Sequence, residues 1–377
     1  MRRPLQASST PLARALSAEI VACGPMRLDR FMERILQDPE HGYYRRGRPL
    51  GREGDFITAP EISQIFGELV GLWLADRWMA AGRPAPARLV ELGPGRGTLM
   101  ADALRAMAVV PELHRALDVH LVESHPELKR EQAARVPGAH WHDRFDDVPA
   151  GPLLLIANEF FDALPIRQFR REATGWSECH VGLDEEGGDF RFVFRPVPAR
   201  TLEDLFPAGR LAGIAPGGII EANEAARAIM TLIARRLAEE GGAALIIDYG
   251  YAAPGHGDTL QAVRRHARVP LFEAPGEADW TAHVDFTALA AAADAQGARV
   301  FGPLAQGPFL EALGIGLRAE RLAAGKEEHV RAEIMSGVAR LVAGEAMGAL
   351  FQVLAILGPQ TAEPPPGFLV PPSGGGR

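Results

Sequence analysis

Hydrophobic positions in the central part of the chain alternate between short apolar runs and segments with helical spacing. The apolar runs have the length of buried strands and cover residues 88–92, 119–123, 151–157 and 243–248. Segments of helical periodicity cover residues 98–108, 126–135 and 221–240. Apolar strands that alternate with helices are typical of a parallel sheet covered on both faces. The pattern therefore predicts an α/β fold with a doubly wound sheet.

Two regions outside this alternation have patterns of their own. Residues 12–37 have the spacing of one or two helices, and a further helix is predicted to begin at Pro60. Residues 166–197 alternate with a period of two around an acidic, glycine-containing turn at 184–189, which predicts a β-hairpin. The 377 residues exceed the usual size of one domain. We divide them into an N-terminal helical cap region (1–85), a core (86–164 and 221–357), an insertion lobe (165–220) and a flexible tail (358–377).

Glycines at alternate positions mark the turn after the first predicted strand. Residues 90–98 read V-E-L-G-P-G-R-G-T, with Gly93, Gly95 and Gly97 between the strand and a helix. Glycines let the backbone approach a ligand closely, and amides at the helix N-terminus face that ligand. A dinucleotide site places its third glycine one residue later, where the helix packs around a pyrophosphate. The spacing therefore favours a nucleoside cofactor without a diphosphate, such as S-adenosylmethionine, over NAD.

Acidic side chains lie near the ends of the predicted strands. Glu91 precedes the first glycine and suits the cationic amino-acid end of S-adenosylmethionine. Glu123 ends the next strand, where a carboxylate can accept both ribose hydroxyls. Asp143 follows a third predicted strand and is placed either to bind the adenine amino group or to be a solvated loop residue. These residues, the three glycines and Asn158 form the predicted cofactor-binding set.

A second polar cluster follows the buried strand at 151–157. Asn158, Glu159 and Asp162 come directly after it, at the edge of a parallel sheet where ligands bind. We predict that all three act on a substrate, although Asp162 is equally suited to cap the next turn. Asp285 precedes a helix at 286–293 and is predicted to be its N-cap.

Composition excludes several classes of function. The net charge of −8 gives no basic footprint for a general nucleic-acid binder. Cys23 and Cys179 have no metal-ligand spacing, which favours ordinary reduced thiols in the cytoplasm. No apolar run approaches the roughly 20 residues of a membrane helix, so no membrane insertion is expected. His140 and His142 lack an evident third ligand, so no metal is assigned.

The motifs resemble the MidA-like family of class I methyltransferases, whose mitochondrial members assist the assembly of respiratory complex I. Matching stretches span roughly residues 15–355 and include 54–68, 91–97, 158–165, 248–250, 257–262 and 281–286. The strings Asn-Glu-Phe-Phe-Asp-Ala-Leu-Pro and Thr-Ala-His-Val-Asp-Phe are specific, whereas many methyltransferases share the glycine loop. Departures are small, such as Tyr251 where relatives often have histidine and Trp280 where they have leucine.

The resemblance implies a seven-stranded methyltransferase sheet, S-adenosylmethionine as cofactor and a protein substrate, with arginine as the acceptor in the mitochondrial relatives. Glu159 and Asp162 are then the carboxylates expected to orient a planar guanidinium. A partner related to a respiratory complex I subunit is expected, and a homodimer is allowed. For a eukaryotic protein the resemblance implies the mitochondrial matrix. Three alternatives stay open: a non-catalytic assembly factor that binds the cofactor, a small-molecule methyltransferase, and an NAD-dependent oxidoreductase.

Overall fold

The computed structural model describes residues 10–45, 58–185, 188–361 and 363–368. The chain forms two compact units, each assembled from separate segments. The first unit comprises Met1–Phe56, Asp162–Arg227 and Pro254–His283, and the second comprises Ile57–Phe161, Ala228–Ala253 and Val284–Arg377. No helix of the described ranges combines the length and the apolar character needed to cross a membrane.

The helices are α1 (Pro11–Cys23), α2 (Leu28–Gln37), α3 (Ala59–Ile62), α4 (Gln64–Ala80), α5 (Thr98–Met107), α6 (Pro111–Ala116), α7 (Pro126–Arg135), α8 (Ala199–Leu205), α9 (Glu224–Glu240), α10 (Phe286–Asp294), α11 (Gln306–Ala312), α12 (Ile315–Ala323), α13 (Glu328–Val342) and α14 (Met347–Leu350). The strands are β1 (Met26–Arg27), β2 (Ala87–Leu92), β3 (Leu117–Val122), β4 (His140–His142), β5 (Leu153–Asn158), β6 (Arg167–Arg171), β7 (Trp176–Leu183), β8 (Phe190–Val197), β9 (Ile219–Ala222), β10 (Gly242–Tyr251), β11 (Gln261–Arg264), β12 (Ala267–Val269), β13 (Asp279–Thr281), β14 (Val284–Asp285), β15 (Arg299–Ala305) and β16 (Phe351–Leu357).

The second unit is built around a mostly parallel sheet in the order β15-β16-β10-β5-β2-β3-β4. Strands β10, β5, β2, β3 and β4 are parallel, and β16 runs antiparallel to both β10 and β15. The two-residue strand β14 pairs with β10, so within the described ranges the sheet has eight strands rather than the seven expected. The chain leaves β2 towards β3 and β4 and returns on the other side to β5. The strand order therefore reverses between β2 and β5, and the doubly wound α/β prediction is confirmed.

Most predicted elements of this unit are present within a few residues, but the helix predicted from Pro60 is interrupted. It divides into α3 and α4 at Ser63, whose backbone is extended (φ −154°, ψ 130°) and whose hydroxyl accepts a hydrogen bond from the Ile65 amide. The serine side chain satisfies an amide at the start of α4, and this cap competes with helix continuation. Asp285 accepts a hydrogen bond from the Ala288 amide at 3.0 Å, which confirms the predicted N-cap.

Close packing of α4 against α5 holds the glycine loop's helix in place. Gly67 and Gly71 lie on the contact face, and a Cβ added at Gly71 would be 2.6 Å from the Ala103 carbonyl oxygen. Glu68, between them in sequence, is buried and accepts hydrogen bonds from Arg105 and Arg318. Because the two glycines have no side chains, the backbones of α4 and α5 approach closely, and this packing supports the helix that follows the glycine loop.

The first unit contains a sheet in which β8 lies along one edge of β7, while β6 and β1 share the other edge and β9 pairs with β6. Strands β7 and β8 form the predicted hairpin, with Leu183 opposite Phe190, although residues 186–187 of its turn lie outside the described residues. A second, three-stranded sheet has the order β12-β11-β13. Aromatic rings of Phe31, Phe272 and Trp280 pack at centroid distances of 5.6–5.9 Å in the core.

Helices α1 and α2 confirm the two-helix alternative for residues 12–37.

Candidate functional site

The glycine loop follows β2 and has left-handed backbone at each of its glycines. The φ angles of Gly93, Gly95 and Gly97 are +61°, +51° and +79°. Gly97 is the N-cap of α5, so the first amides of that helix, which have no carbonyl partner within the helix, begin at the loop. A Cβ added at Gly93 would be 2.9 Å from the Phe160 ring. The loop therefore combines positive φ angles with a close approach to the segment after β5.

Glu91 is almost completely buried beside the start of α5. Glu91 belongs to β2 and is 3% exposed. Its carboxylate accepts a hydrogen bond from the Met100 amide. The other carboxylate oxygen, Oε2, has no hydrogen-bond partner within the described part of the chain. Burial raises the pKa of Glu91 to about 8. An unsatisfied buried oxygen at this position is suited to a cationic group brought by a ligand.

Glu123 and the glycine loop are connected by Gln132, a residue that the sequence analysis missed. The Gln132 amide donates to the Gly95 carbonyl oxygen at 2.6 Å and to Glu123 at 3.4 Å. Its oxygen accepts a hydrogen bond from the Trp141 indole at 2.8 Å. Glu123 also accepts from the His125 amide, and burial raises its pKa. A glutamine in a polar helix has no distinctive pattern, so only the fold brings Gln132 to the site.

Asp143 follows β4, as predicted, but its side chain is 70% exposed. Its carboxylate accepts a hydrogen bond from Lys129 at 2.7 Å. The structure therefore places Asp143 on the surface, directly after β4. Its assignment to the adenine amino group stays a prediction.

Asn158 and Glu159 lie together at the carboxyl end of β5. The Asn158 amide donates to Glu159 Oε1 at 3.1 Å, and the same oxygen accepts a hydrogen bond from the Ala59 amide at 3.0 Å. Asn158 Oδ1 is buried and has no hydrogen-bond partner in the described ranges. Glu159 has a φ angle of +50°, which is uncommon for a residue with a side chain.

Asp248 fixes the turn that carries these two residues. Its fully buried carboxylate accepts hydrogen bonds from the Phe160 and Phe161 amides at 3.1 and 2.8 Å, and from the Tyr249 amide at 2.9 Å. From the sequence, Asp248 is predicted to end a strand and to be a candidate for the substrate side of the site. The structure shows that it satisfies the backbone of the turn after β5 from the neighbouring strand β10.

Asp162 belongs to the first unit, where it is buried and its carbonyl oxygen accepts a hydrogen bond from the Ala282 amide at 3.0 Å. This places it beside the Thr281–Ala282–His283 part of a motif on which the resemblance rests. Its joint action with Glu159 on a substrate stays a prediction.

Histidines occur on the outer strands of the sheet. His120 Nδ1 lies 3.0 Å from His142 Nε2, and His140 stacks against His120 with a centroid distance of 5.4 Å. Burial lowers the pKa of both His120 and His142. Within the described residues, no group of three or more His, Cys, Asp or Glu side chains has the arrangement of a metal site.

Known proteins are similar to this chain in both sequence and fold. Residues 69–304 match the model of a family described as "Putative S-adenosyl-L-methionine-dependent methyltransferase". The protein arginine methyltransferase NDUFAF7 of Danio rerio, a mitochondrial protein, is 37% identical over 91% of this chain and 86% of its own length. Its Homo sapiens counterpart is 35% identical over 94% of this chain and 85% of its own.

The chain belongs to this S-adenosylmethionine-dependent methyltransferase family. A crystal structure of a Burkholderia thailandensis protein bound to S-adenosyl-homocysteine superposes with a TM-score of 0.81 and 30% identity, covering 98% of this chain and 97% of that one. The predicted family, enzyme class and cofactor are therefore confirmed, and the prediction of a methyltransferase holds over the NAD-dependent alternative.

The residues of this methyltransferase fit its cofactor on two structural grounds. Glu91 Oε2, unpartnered in the described part of the chain, can accept a hydrogen bond from the ammonium of the cofactor's amino-acid end. The left-handed glycines bring backbone amides to the same end. Glu123 is held by an amide and by Gln132, with its carboxylate at the end of β3 where a ribose is bound in such sheets. The site thus has two acidic side chains beside the glycine loop, Glu91 near the end of β2 and Glu123 directly after β3.

Proton release on cofactor binding is the expected consequence of the burial of Glu91. Its pKa is raised from 4.5 to about 8, so the carboxyl is mostly protonated at pH 7 in the free methyltransferase. A cationic ligand favours the ionised form, and binding at pH 7 should release about one proton and tighten as the pH rises towards 8. Calorimetric titration in buffers of different ionisation enthalpy measures this proton count.

Glu91→Gln is the control for that experiment, because glutamine cannot titrate. Without ligand, the stability contributed by the raised pKa is present below pH 4.5 and lost as the pH rises through about 8. The variant should therefore gain stability relative to the wild type over that interval. Equal proton release in both proteins would show that another group titrates.

Proposed function

We propose that this methyltransferase transfers a methyl group to a guanidinium nitrogen of arginine in a protein substrate. Its curated relatives are named protein arginine methyltransferases and match more than nine-tenths of the chain. The carboxylate and the amide at the end of β5 are the groups that a planar, fork-shaped cation requires. The relatives are also named mitochondrial. We further propose a substrate related to a respiratory complex I subunit, on the family resemblance alone.

The backbone of Glu159 is the observation that carries this proposal. A left-handed φ costs a residue with a Cβ about 1–2 kcal/mol. Glycine would adopt the φ of +50° without that cost. A carboxylate held in strained backbone at the carboxyl end of a central strand supports a role for the side chain in the reaction.

S-adenosylmethionine supplies a methyl group that its sulfonium already activates. Glu91, the glycine loop and Glu123 would hold that cofactor, so the protein's task is to align the acceptor and to remove a proton. We assign Glu159 the role of orienting the guanidinium and accepting its proton. Asn158 Oδ1, which has no hydrogen-bond partner among the described residues, accepts an N–H of the same group. Asp162 is proposed as a second carboxylate for the guanidinium.

Mass spectrometry tests the acceptor. Proteins from cells lacking this chain are incubated with purified enzyme and S-adenosylmethionine bearing a heavy methyl group. We expect label on arginine of a small number of proteins, with one S-adenosyl-homocysteine formed per methyl transferred. Label on lysine or on a small metabolite would contradict the proposal. Cofactor binding without any labelled product would favour the non-catalytic assembly factor.

A further inference from the structure

Helix α3 contacts the segment that follows β2, which is the glycine loop, and the segment that follows β5. Its first residue, Ala59, donates its amide hydrogen to Glu159 Oε1 at 3.0 Å. Its third residue, Glu61, accepts a hydrogen bond from the Thr98 hydroxyl at 3.3 Å and lies 3.8 Å from the Arg96 guanidinium. One four-residue helix is therefore bonded both to the glycine loop and to the carboxylate after β5.

The contacts of Glu61 fall on the part of the loop that presents backbone amides. Thr98 is the first residue of α5, and Arg96 lies between the second and third glycines. Arg96 also forms an ion pair with Glu131 of α7 at 3.1 Å, so its side chain lies between two carboxylates. The Glu61 side chain is 15% exposed, which reduces the screening of this interaction by solvent.

The contact of Ala59 acts on the other side of the site. Glu159 Oε1 receives two donors, the Ala59 amide and the Asn158 side chain, from two different elements. Two donors fix the direction of a carboxylate better than one does. Ala59 itself is buried, and α3 follows directly from the extended residue Thr58. Movement of α3 would therefore change the orientation of Glu159 and the position of the glycine loop together.

We propose that Glu61 is a positioning residue that couples the cofactor loop to α3 and, through the Ala59 amide, to Glu159. Its carboxylate holds Thr98 and Arg96 where the loop amides meet the cofactor. The part of the inference that concerns Glu159 rests on the proposed function. The part that concerns the cofactor loop depends only on the binding of S-adenosylmethionine or its product.

Calorimetry with S-adenosyl-homocysteine tests the loop without any acceptor. Glu61→Ala should weaken the binding of S-adenosyl-homocysteine by about 10-fold, because it removes roughly one partly buried charged hydrogen bond. Glu61→Gln keeps an oxygen for Thr98 and should recover part of that loss. Glu112→Ala, which removes an exposed acid from the first turn of α6, is the matched control and should bind as the wild type does.

A double-mutant cycle tests whether Glu61 acts on cofactor binding through Thr98. If Glu61 acts through Thr98, Glu61→Ala combined with Thr98→Ala should bind little worse than Glu61→Ala alone. Full additivity of the two losses in binding free energy would overturn that route. A melting temperature that falls in Glu61→Ala while the affinity stays unchanged would show a structural role only and would overturn the proposal.

Steady-state kinetics tests the link to Glu159. Glu61→Ala should raise the KM for S-adenosylmethionine about 10-fold, matching the affinity loss, and should also lower kcat several-fold because α3 carries Ala59. A change in KM with kcat intact would remove the link to Glu159 and leave the loop contact standing. Absence of arginine methylation in the wild type would overturn the proposed function, while the binding results would still decide the role of Glu61.

Discussion

Replacing Glu159 by glutamine is expected to lower the methyl-transfer rate by about 100- to 10,000-fold, the usual contribution of a general base. Glutamine keeps an oxygen for the Ala59 amide and the Asn158 side chain, so the turn after β5 should persist. What is lost is the negative charge that orients a guanidinium and accepts its proton. The rate is measured in a single turnover, with an excess of enzyme over the arginine protein that mass spectrometry identifies.

Binding and fold are checked on the same variant. The affinity of Glu159→Gln for S-adenosyl-homocysteine should stay within about 3-fold of the wild type, because the carboxylate is assigned to the acceptor and not to the cofactor. Asp146→Asn makes the same chemical change at an exposed loop acid that is paired with Arg144, and it should be silent. Turnover by Glu159→Gln within twofold of the wild type would exclude a role for this carboxylate in proton transfer.

A third variant separates strain from chemistry. Glu159→Gly relieves the left-handed backbone but removes the acceptor of the Ala59 amide and the Asn158 side chain, so the two effects oppose each other. Its free energy of unfolding should stay within about 2 kcal/mol of the wild type, and the variant should fold. Its turnover should nevertheless be as low as that of Glu159→Gln. A stable but inactive variant is the signature of a residue kept for its side chain at the expense of stability.

The central sheet was predictable because its signals are local. Each buried strand is a short apolar run, and the glycine loop lies between a strand and a helix in nine consecutive residues. The first unit is different, since its sheet joins β1, near the N-terminus, to β7, about 150 residues later. A strand of two residues has no periodicity, so no pattern in the sequence reveals that pairing.

The candidate site shows the same division between local and tertiary signals. Glu91 and Glu123 follow from their positions at predicted strand ends, and the structure brings both to the glycine loop. Gln132 and Asp248 act through the contacts that their side chains make with the backbone of other elements. Asp143 resembles the other acids in sequence, yet it is exposed and paired with Lys129. Burial, which separates these acids, depends on how α7 and β4 pack and not on the residues beside them.

Replacing Gly93 by alanine is expected to weaken the binding of S-adenosyl-homocysteine by about 30- to 100-fold, or about 2–3 kcal/mol. A left-handed φ of +61° strains any residue with a Cβ, and the new methyl carbon would lie 2.9 Å from the Phe160 ring. Either the loop moves, which displaces its amides, or Phe160 moves, which disturbs the turn that carries Glu159. Both responses damage the site, so the affinity should fall even though the protein folds.

Gly138→Ala is the matched control for this change. Gly138 also belongs to the second unit and has a φ of +85°. Among the residues that the structure describes, no heavy atom apart from those of Gly138 and its two chain neighbours lies within 4 Å of an added Cβ. It should therefore lose about 1 kcal/mol of unfolding free energy to backbone strain while its affinity for S-adenosyl-homocysteine stays that of the wild type. If the two variants lost affinity equally, strain alone would explain the Gly93 result. If Gly93→Ala bound normally, the close approach of this loop to Phe160 would have no part in holding the cofactor.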